Sequence, residues 1–289
     1  MPPLPTLHRI ARWTWLPTLL VGGWAQAHSP GLPLALPPGA GDGVLTVATF
    51  SLAPDQGRWL DHRDGIVEAL RALKPDVVAL QDVQQSPEMP NQACWLAAQL
   101  DYGCSFISAD PPSRATRQGN ALLTRRPVSA DAVTLLHPFE MASTAGMVRL
   151  EIGGVPVNAY VTQLHGGEAR SDDGLIRARQ VVNLLRWMEV TDDGLPTVLL
   201  GDFACGENAA ELAALQAQYQ EARPPASREQ EGLLPDMADA GAARHDHILL
   251  RRDSFRVLRL AALRLPGAEG PGARGLVATV QLLRPVAAP

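Results

Sequence analysis

Lysine is almost missing from this chain. Of 289 residues only Lys74 is a lysine, so the 25 basic residues are nearly all arginine, against 30 acids and a formal charge of −5. A GC-rich coding bias accounts for that as well as any function does. No basic tract offsets the acidity, which excludes generic electrostatic clamping of nucleic acid. Cysteine is scarce as well: Cys94, Cys104 and Cys205 lack the paired spacing of a zinc site. Beyond residue 27 no apolar run reaches 18 residues, so no spanning helix is expected there. No three-residue glycine period accompanies the 25 Gly and 25 Pro, which excludes collagen and leaves a loop-rich chain. No internal repeat, second composition regime or clear linker divides it. What is abundant is apolar side chain, 46% of the total, enough for a sizeable core and too much for disorder throughout.

The first 27 residues form a separate unit of sequence. Arg9 and Arg12 make a positive start without acids, and Trp13 to Ala25 is an apolar stretch too short for a ~30 Å hydrocarbon core. Ala25-Gln26-Ala27 then has the small-x-small form of a cleavage site, so residues 1–27 read as a signal peptide, with an uncleaved anchor as the alternative. No cysteine follows for lipid anchoring, and no adjacent arginine pair signals twin-arginine export. Removal takes away two arginines and no acid, leaving 262 residues at a formal −7. The product is expected in the periplasm or outside the cell, without a membrane span. Residues 28–43 read as a flexible N-terminal segment and 284–289 as a tail.

From residue 44 strands and helices alternate. Val44 to Phe50 is a β run; Ile66, Leu70 and Leu73 recur at helical spacing; Pro75 ends that helix, and Asp76 to Gln81 is a buried-type strand. Residues 91–100 read as a helix, and 104–108 and 119–124 as strands. Residues 147–152 and 155–164 form a hairpin across Gly153-Gly154. A helix over 175–188, a strand over 197–200, a helix over 207–219 and strands at 247–250 and 276–283 complete the chain. The domain is therefore α/β and spans 44–283. Cys94 on a helix and Cys104 on the next strand can close a disulfide, with Cys205 left as a buried thiol; the pairing stays open at this level.

Several of these strands end in polar residues: Ser51, Asp82, Gln163 and His165, Asp202, and the Asp246-His247 pair. Acids and histidines gathered at the carboxyl ends of buried strands are the makings of a site. Each also has a plainer reading. Asp202 can cap the following segment, Asp82 can be a solvated loop acid, His165 can be a turn residue beside Gly166-Gly167, and His245 and His247 can lie on the surface.

Taken together the pieces resemble the endonuclease/exonuclease/phosphatase superfamily, which includes deoxyribonucleases, abasic-site nucleases, sphingomyelinases and inositol-phosphate phosphatases. The matching segments are T-F-S at 49–51, P-D-V-V-A-L-Q-D-V at 75–83, G-N-A-L-L-T-R-R-P-V at 119–128 and V-T-Q-L-H at 161–165. They continue with R-x-x-Q-x-x-x-L at 177–184, P-T-V-L-L-G-D-F-A at 196–204 and D-H-I-L at 246–249, in the family's order. The resemblance implies two packed mixed β-sheets flanked by helices, a four-layer sandwich. It also implies a metal-dependent phosphoester hydrolase using Mg²⁺ or Mn²⁺, with a phosphorylated small molecule, a lipid or a nucleic acid as partner. On the matching positions Asp82 would bind the metal. Asp202, Asp246 and His165 would be catalytic, and Gln163, Asn120 and Ser51 would contact substrate.

The chain also departs from that pattern. Ser51 stands where Asn is expected, and Asp82 is one methylene shorter than the usual Glu. Gln163 replaces a phosphate-binding His, although His165 follows Leu164 as in pancreatic-type deoxyribonucleases. Ala204 replaces the Asn of Gly-Asp-Phe-Asn. The closing Ser-Asp-His aligns with Pro271-Gly272-Ala273, and His247 or Glu269 would have to stand in. A positioned acid–base His contributes ~10²–10⁴ in rate and a transition-state donor ~10²–10³. Two readings follow: a hydrolase with weak or no activity, or a non-catalytic protein on the same fold that binds a phosphorylated ligand or a protein. One expectation is independent of both. Intact-mass measurement of the exported protein should give a chain beginning at His28, and a retained Met1 would refute cleavage.

Overall fold

Continuous apolar strands such as Val77 to Leu80 can be buried on both faces only if something covers each face. The computed structural model, which describes residues 43–52, 56–166, 172–223, 245–263, 265 and 275–283, shows how this is done. All of these residues fall within one compact unit, Leu34–Pro289. The proposed signal peptide, the 284–289 tail, and Glu269, Gly272 and Ala273 lie outside the described residues.

Two six-stranded mixed sheets pack face to face. The first contains β1 (Val44–Ser51), β2 (Val77–Gln85), β3 (Gly103–Ile107), β4 (Arg117–Thr124), β11 (Phe255–Leu263) and β12 (Gly275–Leu282), ordered β11-β12-β1-β2-β4-β3. The second contains β5 (Val128–Leu135), β6 (Thr144–Ile152), β7 (Val155–Gln163), β8 (Thr197–Asp202), β9 (Tyr219–Glu221) and β10 (Asp246–Arg251), ordered β5-β6-β7-β8-β10-β9. The helices are α1 (Gln56–Leu73), α2 (Gln92–Leu100), α3 (Asp173–Thr191) and α4 (Ala213–Gln218). Among the described residues no helix is long and apolar enough to cross a membrane.

Side-chain alternation sorts the core into three layers. Val47, Val77, Ala79 and Leu122 face Val148, Val161, Val198, Leu200 and Ile248 across the gap between the sheets. Their neighbours Ala48, Val78, Leu80 and Leu123 turn outward onto Trp59, Ile66, Leu70 and Leu96 of α1 and α2. On the other side Tyr160, Leu199 and Leu249 pack against Val181, Leu184 and Met188 of α3. The expected four-layer α/β sandwich is what forms.

Strand ends are held at one level by close backbone contact. At Gly201, φ is +150° and an added Cβ would lie 1.9 Å from the Thr162 carbonyl oxygen of the parallel neighbour β7. Any side chain there would push β7 and β8 apart one residue before Asp202. On the far side of the sandwich, Cys94 of α2 and Cys104 of β3 form a disulfide across a separation of 10 residues, and Cys205 remains free and buried. Closing a loop of that size stabilises by about 2–3 kcal/mol. Cys94→Ser/Cys104→Ser should therefore lower unfolding free energy by about 2–3 kcal/mol in denaturant titration. Gly201→Ala should be the more damaging change.

Candidate functional site

The polar strand ends meet on one side of the sandwich. Parallel pairing of β7 with β8 sets Gln163 beside Asp202, and antiparallel pairing of β8 with β10 sets Asp202 beside Asp246. These three form a row across the second sheet. Facing it from the first sheet is Asp82, and its placement depends on a local irregularity. Between Leu80 and Val83 the β2–β4 register slips, so that β2 carries one residue more than β4. Asp82 occupies the bulge in the left-handed region at φ +56°. Regular alternation would turn residue 82 outward with Leu80, toward the helices. The bulge instead aims it across the gap, where Oδ1 accepts a 2.9 Å hydrogen bond from Gln163 Nε2. Bulges recur beside active sites for this reason.

Asp82 is poorly solvated and close to another acid. Burial pushes its carboxyl above the usual range; the Gln163 amide pulls it down, and the charge of Asp202 pushes it up again. Asp202 Oδ1 accepts a 2.7 Å hydrogen bond from the Ala204 backbone N–H, forming an Asx turn. That turn holds Ala204 at φ +52°, where Asn is tolerated better than Ala. The turn after Asp202 thus forms with alanine at its left-handed position.

The other expected site residues are placed differently. Ser51 is exposed, next to Gln81 in the β1–β2 register. Asn120 is buried, with Nδ2 donating to Thr144 O at 3.2 Å and Oγ1 at 3.1 Å, while its buried Oδ1 has no hydrogen-bond partner among the described residues. His165 lies past the end of β7, and its ring turns toward Asp173 at the start of α3. His247 is fully buried behind the sheet, between Glu221 Oε2 at 3.1 Å and the Cys205 carbonyl at 2.9 Å, with Phe203 edge-on. It belongs to the core side of β10 and cannot reach Asp82. Burial pushes the Cys205 thiol up to about 11, which makes it a packing residue and a poor nucleophile.

The residues that support this row were less visible in the sequence. Gln180 accepts from the His165 backbone N–H and donates to Ser143 Oγ; Arg177 bridges Glu211 and the His165 carbonyl. Both arginine and glutamine belong to the R-x-x-Q segment. Asp173 was missed; its only signal is an acid in the first turn of a helix eight residues after His165.

Among the described residues no three His, Cys, Asp or Glu side chains gather into a metal cage. Mg²⁺ rarely needs one, since it is ordinarily held by one or two carboxylates together with water and substrate oxygens. Asp82, repelled by Asp202 in a desolvated spot, fits such an open site, because a cation would relieve that repulsion.

Two predictions test this geometry. Because the folded-state pKa of Asp82 is raised, ionising it weakens the metal-free fold as pH climbs from its ordinary 3.8 through the folded value. In EDTA, Asp82→Asn should therefore raise the melting temperature at pH 7 and leave it unchanged near pH 3. Ala204→Gly should stabilise by about 1 kcal/mol, by removing the left-handed strain.

Comparison with known proteins agrees with the architecture. The catalytic domain of human Nocturnin with bound sulfate superposes with a TM-score of 0.62 at 20% identity, covering 83% of this chain and 94% of that one. An endonuclease/exonuclease/phosphatase from Bacteroides vulgatus gives 0.63 at 16% identity, over 83% and 99%. D. rerio TDP2 complexed with a single-strand DNA product gives 0.61 at 16%, over 83% and 100%. No curated protein sequence matches significantly. A profile of the Endonuclease/Exonuclease/phosphatase family matches residues 47–271, most of the chain, and the protein belongs to that family.

Proposed function

We propose that this protein is an exported phosphoester hydrolase of low turnover, dependent on a divalent cation such as Mg²⁺ or Mn²⁺. The observation that carries the reading is the meeting of Asp82, Gln163, Asp202 and Asp246 at the strand ends, in a family of phosphoesterases. Export is supported by the N-terminal sequence and by the Cys94–Cys104 disulfide, a bond that persists in oxidising compartments.

The cation, held at Asp82, would polarise the phosphoryl group and neutralise charge on the leaving oxygen. Gln163 donates from its amide and keeps Asp82 aimed across the gap. Asp202 and Asp246 border the same space and orient the attacking water. Asn120, anchored through Thr144, helps to wall the site. His165 acts as acid and base at its rim. The missing amide at Ala204 removes a donor to the phosphoryl oxygens, and this lowers the rate. The acidic mature chain favours a small phosphorylated ester or a lipid headgroup over long nucleic acid, although TDP2 shows that the fold can hold single-stranded DNA.

A second reading, a non-catalytic binder of phosphorylated ligands or of a protein, is favoured by the same substitutions at Gln163 and Ala204. Turnover of bis-p-nitrophenyl phosphate decides between them. Activity that requires Mg²⁺ or Mn²⁺ and falls at least ~10²-fold in Asp202→Ala supports the hydrolase. Ala204→Asn should raise that activity. Absence of any metal-dependent turnover on nucleotide, lipid and sugar phosphates would leave the binding reading.

A further inference from the structure

The second sheet reaches further sideways than the first. β3, the edge strand of the first sheet, lies on β6, where an added Cβ at Gly146 would come within 2.4 Å of Ile107 Cγ1. β5, next beyond β6, therefore extends past the edge of the facing sheet. Val133 is in register with Gly146 and Leu135 with Thr144, so both side chains share the inner face with those partners. They stay 64% and 42% exposed. The turn that follows adds Phe139 at 60% and Met141 at 37% exposure. Large apolar side chains gathered on one edge mark an interaction surface, whereas scattered ones do not.

This edge belongs to the same end of the sandwich as the site. Thr144, the partner of Leu135, is the residue that Asn120 bonds. The next residue, Ala145, is paired with Thr162, one before Gln163. The row of Gln163, Asp202 and Asp246 thus continues through Thr144 to Leu135. The turn over 136–143 is also pinned at its base. Leu136 is fully buried, the His137 N–H donates to Asn183 Oδ1 at 3.0 Å, and Ser143 Oγ accepts from Gln180 Nε2 at 2.9 Å. These bonds hold the apolar tip out from the core.

We propose that this edge docks on a zwitterionic phospholipid surface, with Phe139 and Met141 inserted and Val133 and Leu135 beside them. Pairing of β5 with a second copy fits less well. The strand carries a register irregularity between Val128 and Ala130 and an exposed charge at Asp131, two features that blunt edge pairing. Charge selects the kind of surface. Glu140 stands between the two inserted side chains and the chain carries a formal −5, so an anionic bilayer repels it. A headgroup with a cationic ammonium beside its phosphate instead complements Glu140, Asp202 and Asp246. Docking in this way brings the strand-end row to the headgroups. That use of the surface rests on reading the site as a phosphoester hydrolase; the docking itself does not.

The test is flotation of the exported protein with phosphatidylcholine vesicles in EDTA, where binding is read without turnover. The protein should float with these vesicles, and less so as phosphatidylglycerol is mixed in. Phe139→Ser/Met141→Ser should lower the partition coefficient at least ~10-fold, the loss expected when inserted side chains of that size are removed. Val190→Ser, at a residue 77% exposed near the opposite end of α3, should leave it unchanged. Thermal melts should coincide for all three proteins, because the replaced side chains are exposed. No flotation by a protein that hydrolyses bis-p-nitrophenyl phosphate would overturn the docking and keep the hydrolase. Undiminished flotation of the double variant, or tighter binding to phosphatidylglycerol, would also overturn it. A lipid-free dimer in analytical ultracentrifugation that Val133→Ser/Leu135→Ser dissociates would assign the face to a second copy instead. Vesicle binding without turnover of any phosphoester would uphold the docking and remove the hydrolase reading.

Discussion

The hydrogen bond from Gln163 to Asp82 crosses from one sheet to the other, and it can form because β2 carries one residue more than its partner β4. That extra residue puts Asp82 in the left-handed region and reverses the direction of its side chain. A carboxylate that would have faced the helices then stands opposite Asp202. The close packing of the sheets sets the separation, since Val77 and Ala79 on one side and Val161 and Leu200 on the other leave no slack between them. Gly201 contributes by letting β7 and β8 end side by side. The site follows from these contacts.

The backbone after β8 passes through a left-handed residue that is an alanine. Ala204 is held at a positive φ by the Asx turn from Asp202, a position where a methyl side chain gains nothing and costs about 1 kcal/mol. Gln163 places an amide donor at the end of β7, and that amide serves Asp82 and so braces the two sheets.

Much of the fold was legible in the sequence for a simple reason. The inner strands β1, β2, β4, β7 and β8 are buried on both faces, so they appear as unbroken apolar runs. Three of the four edge strands escaped notice. The segments that form β5, β9 and β11 are half exposed, and runs such as Val-Ser-Ala-Asp-Ala-Val-Thr-Leu at 128–135 carry no strong period. The helix expected over 207–219 is shorter, with a 3₁₀ turn at Ala210–Leu212 before α4 and with Tyr219 already in β9. Alternation alone placed Gln163 and His165 on one face. β7, however, ends at Gln163, and beyond it the chain bends so that His165 meets α3.

Residue order by itself determined the family, the order of strands and helices, and which chemical groups stand at the strand ends, because these depend on local pattern and on identity at each position. Which of those groups face one another was decided only by the tertiary structure. Asp82 is turned inward by a register slip between two strands, a property of their pairing. His247 is carried out of reach because it follows Asp246 on a strand whose alternate residues face opposite layers. Asp173 is brought to His165 by the packing of α3 on the second sheet. Each is a relation between segments distant in the chain, set by how the layers close.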